Sequence, residues 1–549
     1  MWSKMWNAGG RCVRGAVMTG IAIGAGWAQS AGSAGTTVRV NPAKMTKLTI
    51  VDPRFVSYNV EMVEVTGGRF WKPYSDDVSA QKNATPDANQ QVGMNPDLYQ
   101  YRPPIDLANP RLRKLAQGLG PAYIRVSGTW ANSTFFQNDD NPVMKDPPTG
   151  FKGVLTRAQW KGVVDFAHAV GAKLVTSVAI SAGTRDADGV WTPTQAKAVL
   201  DYTKSLGGSI AATEFMNEPT FPGPGGAPTG YDAVAFARDV KIFNGFLRQE
   251  SPNTIFLGPG GVGGVGEGMG PARARPNLIS TEDIMKATGP VFDIFSYHFY
   301  GTVSSRCTAN RPRVGTTAED GLTAEWLNRT ATVESFYTAL RDAYMPGKPI
   351  WLTETAQAAC GGDKWAAEFV DSFRYLNQLG TLAQKGVKVV MHNTLAASDY
   401  GLLDEKTLEP RPNYWAAVLW ARTMGTDVLD PQVAKEQNLR VYAHCMKDTR
   451  SGVSMLVLNA DPATERTVEA PVGGERYTLT ASNLMSKTVL LNGAEMTVAP
   501  DGSLPPIKGQ TVKAGTIHFP PASITFLTMP GAKNANCKVI VPRQNSDLP

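Results

Sequence analysis

From Asn109 to Thr423 the chain alternates between short apolar runs rich in Val, Ile, Leu and Phe and longer amphipathic segments. The short runs read as strands buried on both faces, and the segments between them carry apolar residues at helical spacing. The predicted strands are Phe55–Glu61, Ala122–Ser127, Lys173–Ile180, Ile210–Glu218, Thr254–Leu257, Val291–His298, Lys348–Glu354 and Val387–Asn393. Helical patterns cover Pro110–Ala116, Thr156–Val170, Pro193–Leu206, Tyr231–Glu250, Val333–Tyr344, Trp365–Lys385 and Tyr414–Thr423. Eight strands with helices between them predict an α/β fold, a (β/α)8 TIM barrel over residues 53–425. Such barrels hold their active sites at the C-terminal ends of the strands. Glu61, Glu218, His298, Tyr300, Glu354 and His392 fall at or near those ends.

Past Asp430 the pattern changes. Arg440–Cys445, Val453–Leu458, Tyr477–Thr480 and Ile524–Leu527 are short strands separated by turn clusters such as Gly473-Gly474 and Asp501-Gly502. They predict an antiparallel β-sandwich domain over 426–549. Two strands within 36–52 have no place in the barrel and are expected to complete that sandwich. Residues 65–105, rich in Gly, Pro, Asn and Asp, read as a long loop.

The first 30 residues carry Lys4, Arg11 and Arg14, an apolar run from Ala16 to Ala28, and then small residues. That is the pattern of a cleaved secretory signal, so an exported protein, secreted or periplasmic, is expected; the competing reading is a buried N-terminal helix. No later segment has 18 uninterrupted apolar residues, and no membrane span is expected. Apart from Cys12 in the signal, the cysteines are Cys307, Cys360, Cys445 and Cys537. An even number in an oxidising compartment predicts disulfides, with three connectivities open. A net charge of +6 is mildly basic for this length and favours an anionic partner. There is no dense Lys/Arg run, so a nucleic-acid partner is not expected.

The chemistry concentrates in two strand ends. Glu214-Phe-Met-Asn-Glu218-Pro219 ends one barrel strand, and Trp351-Leu-Thr-Glu354-Thr355 ends another. Two carboxyls facing one barrel mouth suit glycosidic bond cleavage, with Glu218 as acid/base and Glu354 as nucleophile. The competing reading makes each a surface or ion-paired acid. Asn217 is placed to hydrogen-bond a sugar hydroxyl. Tyr300 and Arg125 are candidates to hold Glu354 ionised, with a purely structural ion pair as the alternative for Arg125. Glu214 reads as a packed, paired acid. Gly258–Gly270 contains two GxGxxG matches, but no amphipathic helix follows, so the stretch reads as a flexible rim loop and no dinucleotide cofactor is expected. The five histidines form no HExxH, and no catalytic metal is expected. GxSxG is absent, which argues against a serine hydrolase.

The chain resembles heparanase and the β-glucuronidases of glycoside hydrolase family 79. The resemblance rests on the segment from Asn109 to Arg125, on Glu214–Pro219, and on Glu354-Thr355 with Gly361-Gly362. It also rests on Asp399-Tyr400 and on Leu484–Gly493. It implies a retaining endo-β-glucuronidase cleaving heparan sulfate or a related glycosaminoglycan, with an exo-β-glucuronidase as the alternative. Glu218 is then the acid/base and Glu354 the nucleophile. Gly361 and Gly362 would offer backbone N–H groups to the glucuronate carboxylate, with Tyr400 as a hydroxyl donor. Glu61, Thr129, Asn217 and Tyr300 would line the sugar subsite. The resemblance also pairs Cys445 with Cys537; a Cys307–Cys360 link is the remaining inference. Two departures stand out. Cys360 replaces the tyrosine that precedes the paired glycines in the family, and only a short loop over 137–150 stands where animal members carry an excised linker. A single-chain, monomeric enzyme needing no proteolytic activation is expected. Arg273, Arg275, Arg306, Arg311 and Arg313, on loops after the fifth and sixth strands, are candidates to contact sulfates or carboxylates.

Overall fold

A computed structural model describes residues 37–74, 96–223, 225–264, 267–269, 278–308, 316–434 and 438–538. The stretch expected to be an N-terminal signal and four of the loop arginines, Arg273, Arg275, Arg311 and Arg313, lie outside the described residues.

Eight parallel strands close into a barrel in chain order. They are β1 (Val56–Glu61), β2 (Tyr123–Ser127), β3 (Lys173–Ser177), β4 (Ile210–Glu214), β5 (Ile255–Gly264), β6 (Ile294–Val303), β7 (Ile350–Ala359) and β8 (Val390–His392). The helices that cover them are α1 (Pro110–Gly118), α2 (Arg157–Ala169), α3 (Thr194–Ser205), α4 (Ala233–Glu250), α5 (Thr281–Thr288), α6 (Ala324–Tyr344), α7 (Phe369–Gln384) and α8 (Pro412–Thr423). The TIM barrel expected from the alternation is therefore the fold. The strands are buried on both faces, as parallel strands between a packed interior and a helical shell must be. Helix starts follow local chemistry. The Asn109 side chain accepts from the N–H groups of Arg111 and Leu112, with Pro110 at the first helical position. Thr156 and Gln159 form a reciprocal capping box at the start of α2.

Several boundaries differ from the sequence reading: β6 and β7 run on through Val303 and Ala359, α6 begins at Ala324 and not at Val333, and within the stretch read as a long loop Gly68–Trp71 pairs with Tyr99–Arg102. β5 runs on through Gly264, so the first half of the glycine-rich stretch is strand and not rim loop. Side chains explain those glycines: a Cβ on Gly258 would lie 2.2 Å from the Phe292 ring, and one on Gly263 would lie 2.4 Å from Val333. α5 lacks a counterpart in the predicted helices; its start is capped by the Ser280 side chain. β4 stops at Glu214, four residues before the motif's second glutamate.

Beyond α8, Lys47–Ile50, Met424–Leu429, Leu439–Met446, Val453–Asn459, Ser523–Met529 and Gly474–Thr480 follow one another in a large antiparallel sheet. A smaller sheet, Val38–Arg39 with Arg466–Ala470 and Gly515–Phe519, faces it across a shared apolar core. Both N-terminal strands enter these sheets; Val38–Arg39 does so in parallel, unlike the antiparallel pairing around it. Cys445 and Cys537 are joined, which ties the C-terminal tail to this core.

Candidate active site

The barrel's C-terminal mouth is built around one buried cation. Arg125 on β2 is 1% exposed. Its Nε donates to Glu214 Oε2 at 2.9 Å, its Nη1 to Glu354 Oε2 at 2.8 Å, and its Nη2 to Asn217 Oδ1 at 2.7 Å. One guanidinium thus fixes the end of β4, the motif beyond it and the acid on β7. The planar fork of arginine allows this and a lysine would not. Glu214 is the structural counter-ion. Burial works against its charge, yet Arg125, His298 and Thr353 outweigh that and hold its pKa down at about 2.

Glu354 is 5% exposed and accepts at both oxygens, from Arg125 and from the Tyr300 hydroxyl at 2.6 Å. Glu218 lies beyond the end of β4 with φ +51°, a left-handed backbone unusual for a residue with a side chain. Its side chain is 20% exposed, so it is the more open of the two acids. Burial raises its pKa; a hydrogen bond from His298 opposes this, and the charge of Glu354 adds to it. The two acids therefore stand in unlike surroundings. One is gripped by a cation and a hydroxyl, and the other is pushed toward its protonated form. A carboxylate oxygen of each, together with a ring nitrogen of His298, falls within 4.8 Å of the others.

His298 had no assigned role in the sequence reading. It is fully buried; Nδ1 is 3.0 Å from Glu218 Oε1 and 3.7 Å from Glu354 Oε2, while Nε2 is 3.3 Å from Arg125 Nη2. Burial disfavours its charged form, but Glu354, Glu214 and Glu218 outweigh that and raise its pKa to about 9. The signal was present in the spacing. His298 and Tyr300 are two apart on one strand and so face the same side. Glu218, His298 and Glu354 have donor atoms of the kind that take a divalent cation. The guanidinium of Arg125, fixed against two of the three, sets a positive charge where such an ion would sit and disfavours that use.

The remaining candidates sort clearly. Glu61 is 4% exposed; its Oε1 accepts from Asn393 Nδ2 at 3.1 Å, and its Oε2 has no hydrogen-bond partner among the described residues. A Cβ on Gly128, at φ +91°, would lie 1.5 Å from that oxygen, so the loop after β2 needs glycine there. Asn393, which had not been singled out, also donates to the hydroxyls of Tyr300 and Tyr400, both at 3.2 Å. Thr129 Oγ1 is 3.4 Å from Asn217 Nδ2. Asn132, also missed, holds the motif's backbone: it accepts from the Asn217 N–H at 2.8 Å and donates to the Asn217 carbonyl at 3.0 Å.

Gly361 and Gly362 lie behind Tyr400 at φ +81° and +83°. The Gly362 N–H is already used, donating to Ala358 O at 3.2 Å, so it is not free to receive a carboxylate as the family resemblance implied. Cys307 and Cys360 are joined. Arg306 is not a rim contact. Its guanidinium bonds Asp399 at 2.5 Å, bonds the Lys72 carbonyl, and lies 4.0 Å over the Tyr74 ring.

The N-terminal domain model of glycosyl hydrolase family 79 matches residues 103–264, the stretch that carries Arg125, Asn217 and Glu218. Heparanase-like protein 1 of Arabidopsis thaliana is 25% identical over 492 residues, covering 79% of this chain and 86% of that protein. The heparanase of Mus musculus is 27% identical over 491 residues, covering 78% and 88%. Among solved structures, a 4-O-α-L-rhamnosyl-β-D-glucuronidase from Fusarium oxysporum superposes with a TM-score of 0.58 at 13% identity, over 90% of this chain and 99% of that one. That last likeness speaks for the fold; the sequence matches reach further, and by them the chain is similar to the glycosyl hydrolase family 79 enzymes and is a glycoside hydrolase.

Proposed function

We propose that the protein is a retaining β-glucuronidase acting on glucuronate-bearing glycans of the glycosaminoglycan type, heparan sulfate among them. The observation that carries this reading is the unlike pair, Glu218 and Glu354, with carboxylate oxygens within 4.8 Å at the barrel mouth. Retaining enzymes need their carboxyls about 5 Å apart, whereas inverting ones leave room for a water. Glu354, held as an acceptor by Arg125 and Tyr300, attacks the anomeric carbon. Glu218, kept toward its protonated form, gives its proton to the departing glycosidic oxygen. A glycosyl ester of Glu354 results. Water then attacks it, giving a proton to Glu218, and Glu354 leaves as carboxylate. Asn217, held by Arg125 and Asn132, is placed for the sugar 2-hydroxyl. Export fits the two disulfides and the N-terminal pattern; among the described residues no helix is long and apolar enough to cross a membrane.

Internal cleavage of heparan sulfate is the reading the family resemblance favours. Its support from basic loops is weaker than the sequence suggested, since Arg306 is spent inside the protein. The deciding experiment follows an aryl β-glucuronide by proton NMR. The first-formed product should be the β-anomer of glucuronate. First appearance of the α-anomer would sink the retaining assignment. E354Q should reduce turnover to background, and E218Q should reduce it roughly a hundred- to ten-thousand-fold. The E218Q loss should shrink for aglycones that leave without a proton.

A further inference from the structure

After β1 the chain makes a short helix, Met62–Thr66, and then a strand, Gly68–Trp71, that pairs with Tyr99–Arg102. The chain runs on to Tyr74, and this segment follows the rim of the barrel from the loop after β1 to the loops after β8, β7 and β6. The Tyr74 N–H donates to Asp399 on the loop after β8 at 3.1 Å. Its hydroxyl reaches Asp363 on the β7 loop at 3.2 Å, and Ser304 and Ser305 on the β6 loop at 2.9 and 2.8 Å. Arg306 lies against its ring and bonds Asp399, and Cys307–Cys360 links the β6 and β7 loops beneath it. Trp71 is stacked on Tyr99 at 4.6 Å and lies so close to Gly361 that a Cβ there would come within 2.5 Å of it. The segment is therefore a strap pinned at three loops.

Its position bears on which substrates can enter. The proton donor must stand beside the leaving group, so the departing part of the substrate lies toward Glu218, beyond β4. In a ring of eight strands the side opposite β4 is β8, flanked by β7 and β1. The retained sugar, and whatever is attached to it, extends that way. The strap spans that same arc.

Resting on the β-glucuronidase reading, we infer that the strap closes the glycon side of the cleft, so that the enzyme takes glucuronate only as a chain-terminal residue and releases it one unit at a time. Trp71 and Tyr74 are the specificity-determining residues. The substrate class is then β-glucuronides with a free non-reducing end, whatever the aglycone.

Two matched substrates test this: 4-nitrophenyl β-glucuronide, and the same compound with a further sugar on the glucuronate 4-hydroxyl. The extended compound should show kcat/KM at least 100-fold lower. With heparan sulfate, free glucuronate should appear while mean polymer length barely changes. Comparable turnover of the two aryl compounds, or an early fall of the polymer to mid-length fragments, overturns the strap and leaves the glucuronidase reading standing. No turnover of either aryl compound or of the polymer would remove that reading and this inference with it. Y74A should raise the extended-to-unextended rate ratio at least tenfold, and an unchanged ratio in a folded Y74A counts against the strap. If Y74A does not fold, the wild-type comparison decides alone.

Discussion

The charge arithmetic of the site turns on His298. Four ionisable groups face it: Glu218, Glu354, Glu214 and Arg125. With its pKa at about 9 it is a cation through neutral pH, bonded to one acid and 3.7 Å from the other. A cation there favours ionisation of Glu218. H298Q removes that charge while keeping a hydrogen-bonding side chain, so Glu218 becomes harder to ionise. The alkaline limb of the bell-shaped dependence of kcat/KM on pH, the limb set by Glu218 as proton donor, should then move to higher pH by about one unit. A profile that stays in place, even with reduced activity, would mean that His298 only packs. The linkage sign for folding runs the other way for the wild type. A raised histidine pKa contributes stability that is complete below its ordinary value of 6.5 and is lost as pH rises through about 9. The reason His298 escaped the sequence reading is physical. Glu218 and Glu354 stand in short motifs that suit catalysis better than packing, whereas a histidine inside an apolar strand becomes functional only through its neighbours, and those come from β2, β4 and β7. Asn132 and Asn393 were hidden for the same reason, and Arg125 could be read only as one of two things until its three partners were placed.

At the level of elements, the barrel was legible because period and burial agree along most strands. Where the signal failed, a neighbour's side chain had replaced the strand's own. β5 looks like a loop because Phe292 and Val333 fill the space its missing side chains would occupy. The strand ends were also set by partners outside their own sequence. β4 stops at Glu214 because Arg125 and Asn132 take over the hydrogen bonding of the chain beyond it. That makes the loop after β2 (residues 128–133) the mount for the acid motif. N132A leaves a buried N–H and a buried carbonyl of Asn217 without partners. It should cost about 2 kcal/mol of stability and lower kcat more than it raises KM, because Glu218 loses its support. Calorimetry beside steady-state kinetics would check both. An N132A protein with wild-type melting and wild-type kcat would show that β4 holds the motif unaided.

For the whole molecule the question is whether barrel and sheets are separable. The composition shift near residue 426 suggests a boundary, but the packing does not stop there. α7 faces the barrel on one side, with Gln378 bonding Thr355 at 3.0 Å. On the other side Tyr442 of the large sheet bonds Asn377 at 2.7 Å and lies where a Cβ on Gly380 would meet its ring at 2.3 Å. The N–H groups of Phe369 and Val370 at the start of α7 donate to the carbonyls of Ser486 and Leu484. In α8, Trp420 meets the His444 ring edge-on at 5.2 Å. Leu456, Leu458, Ile524 and Phe526 of the sheet belong to one continuous apolar core with the barrel helices. A chain ending at 425 would bare the back of α7 and α8, helices buried at nearly every position and therefore without a polar face to offer water. We therefore expect a single calorimetric unfolding transition for the full protein, and an aggregated, inactive product from the shortened one. Two resolved transitions, or a soluble 425-residue chain that still hydrolyses an aryl β-glucuronide, would show that the sheets are an appendage. A single transition would make them part of the scaffold on which β7 presents Glu354, since α7 connects the two.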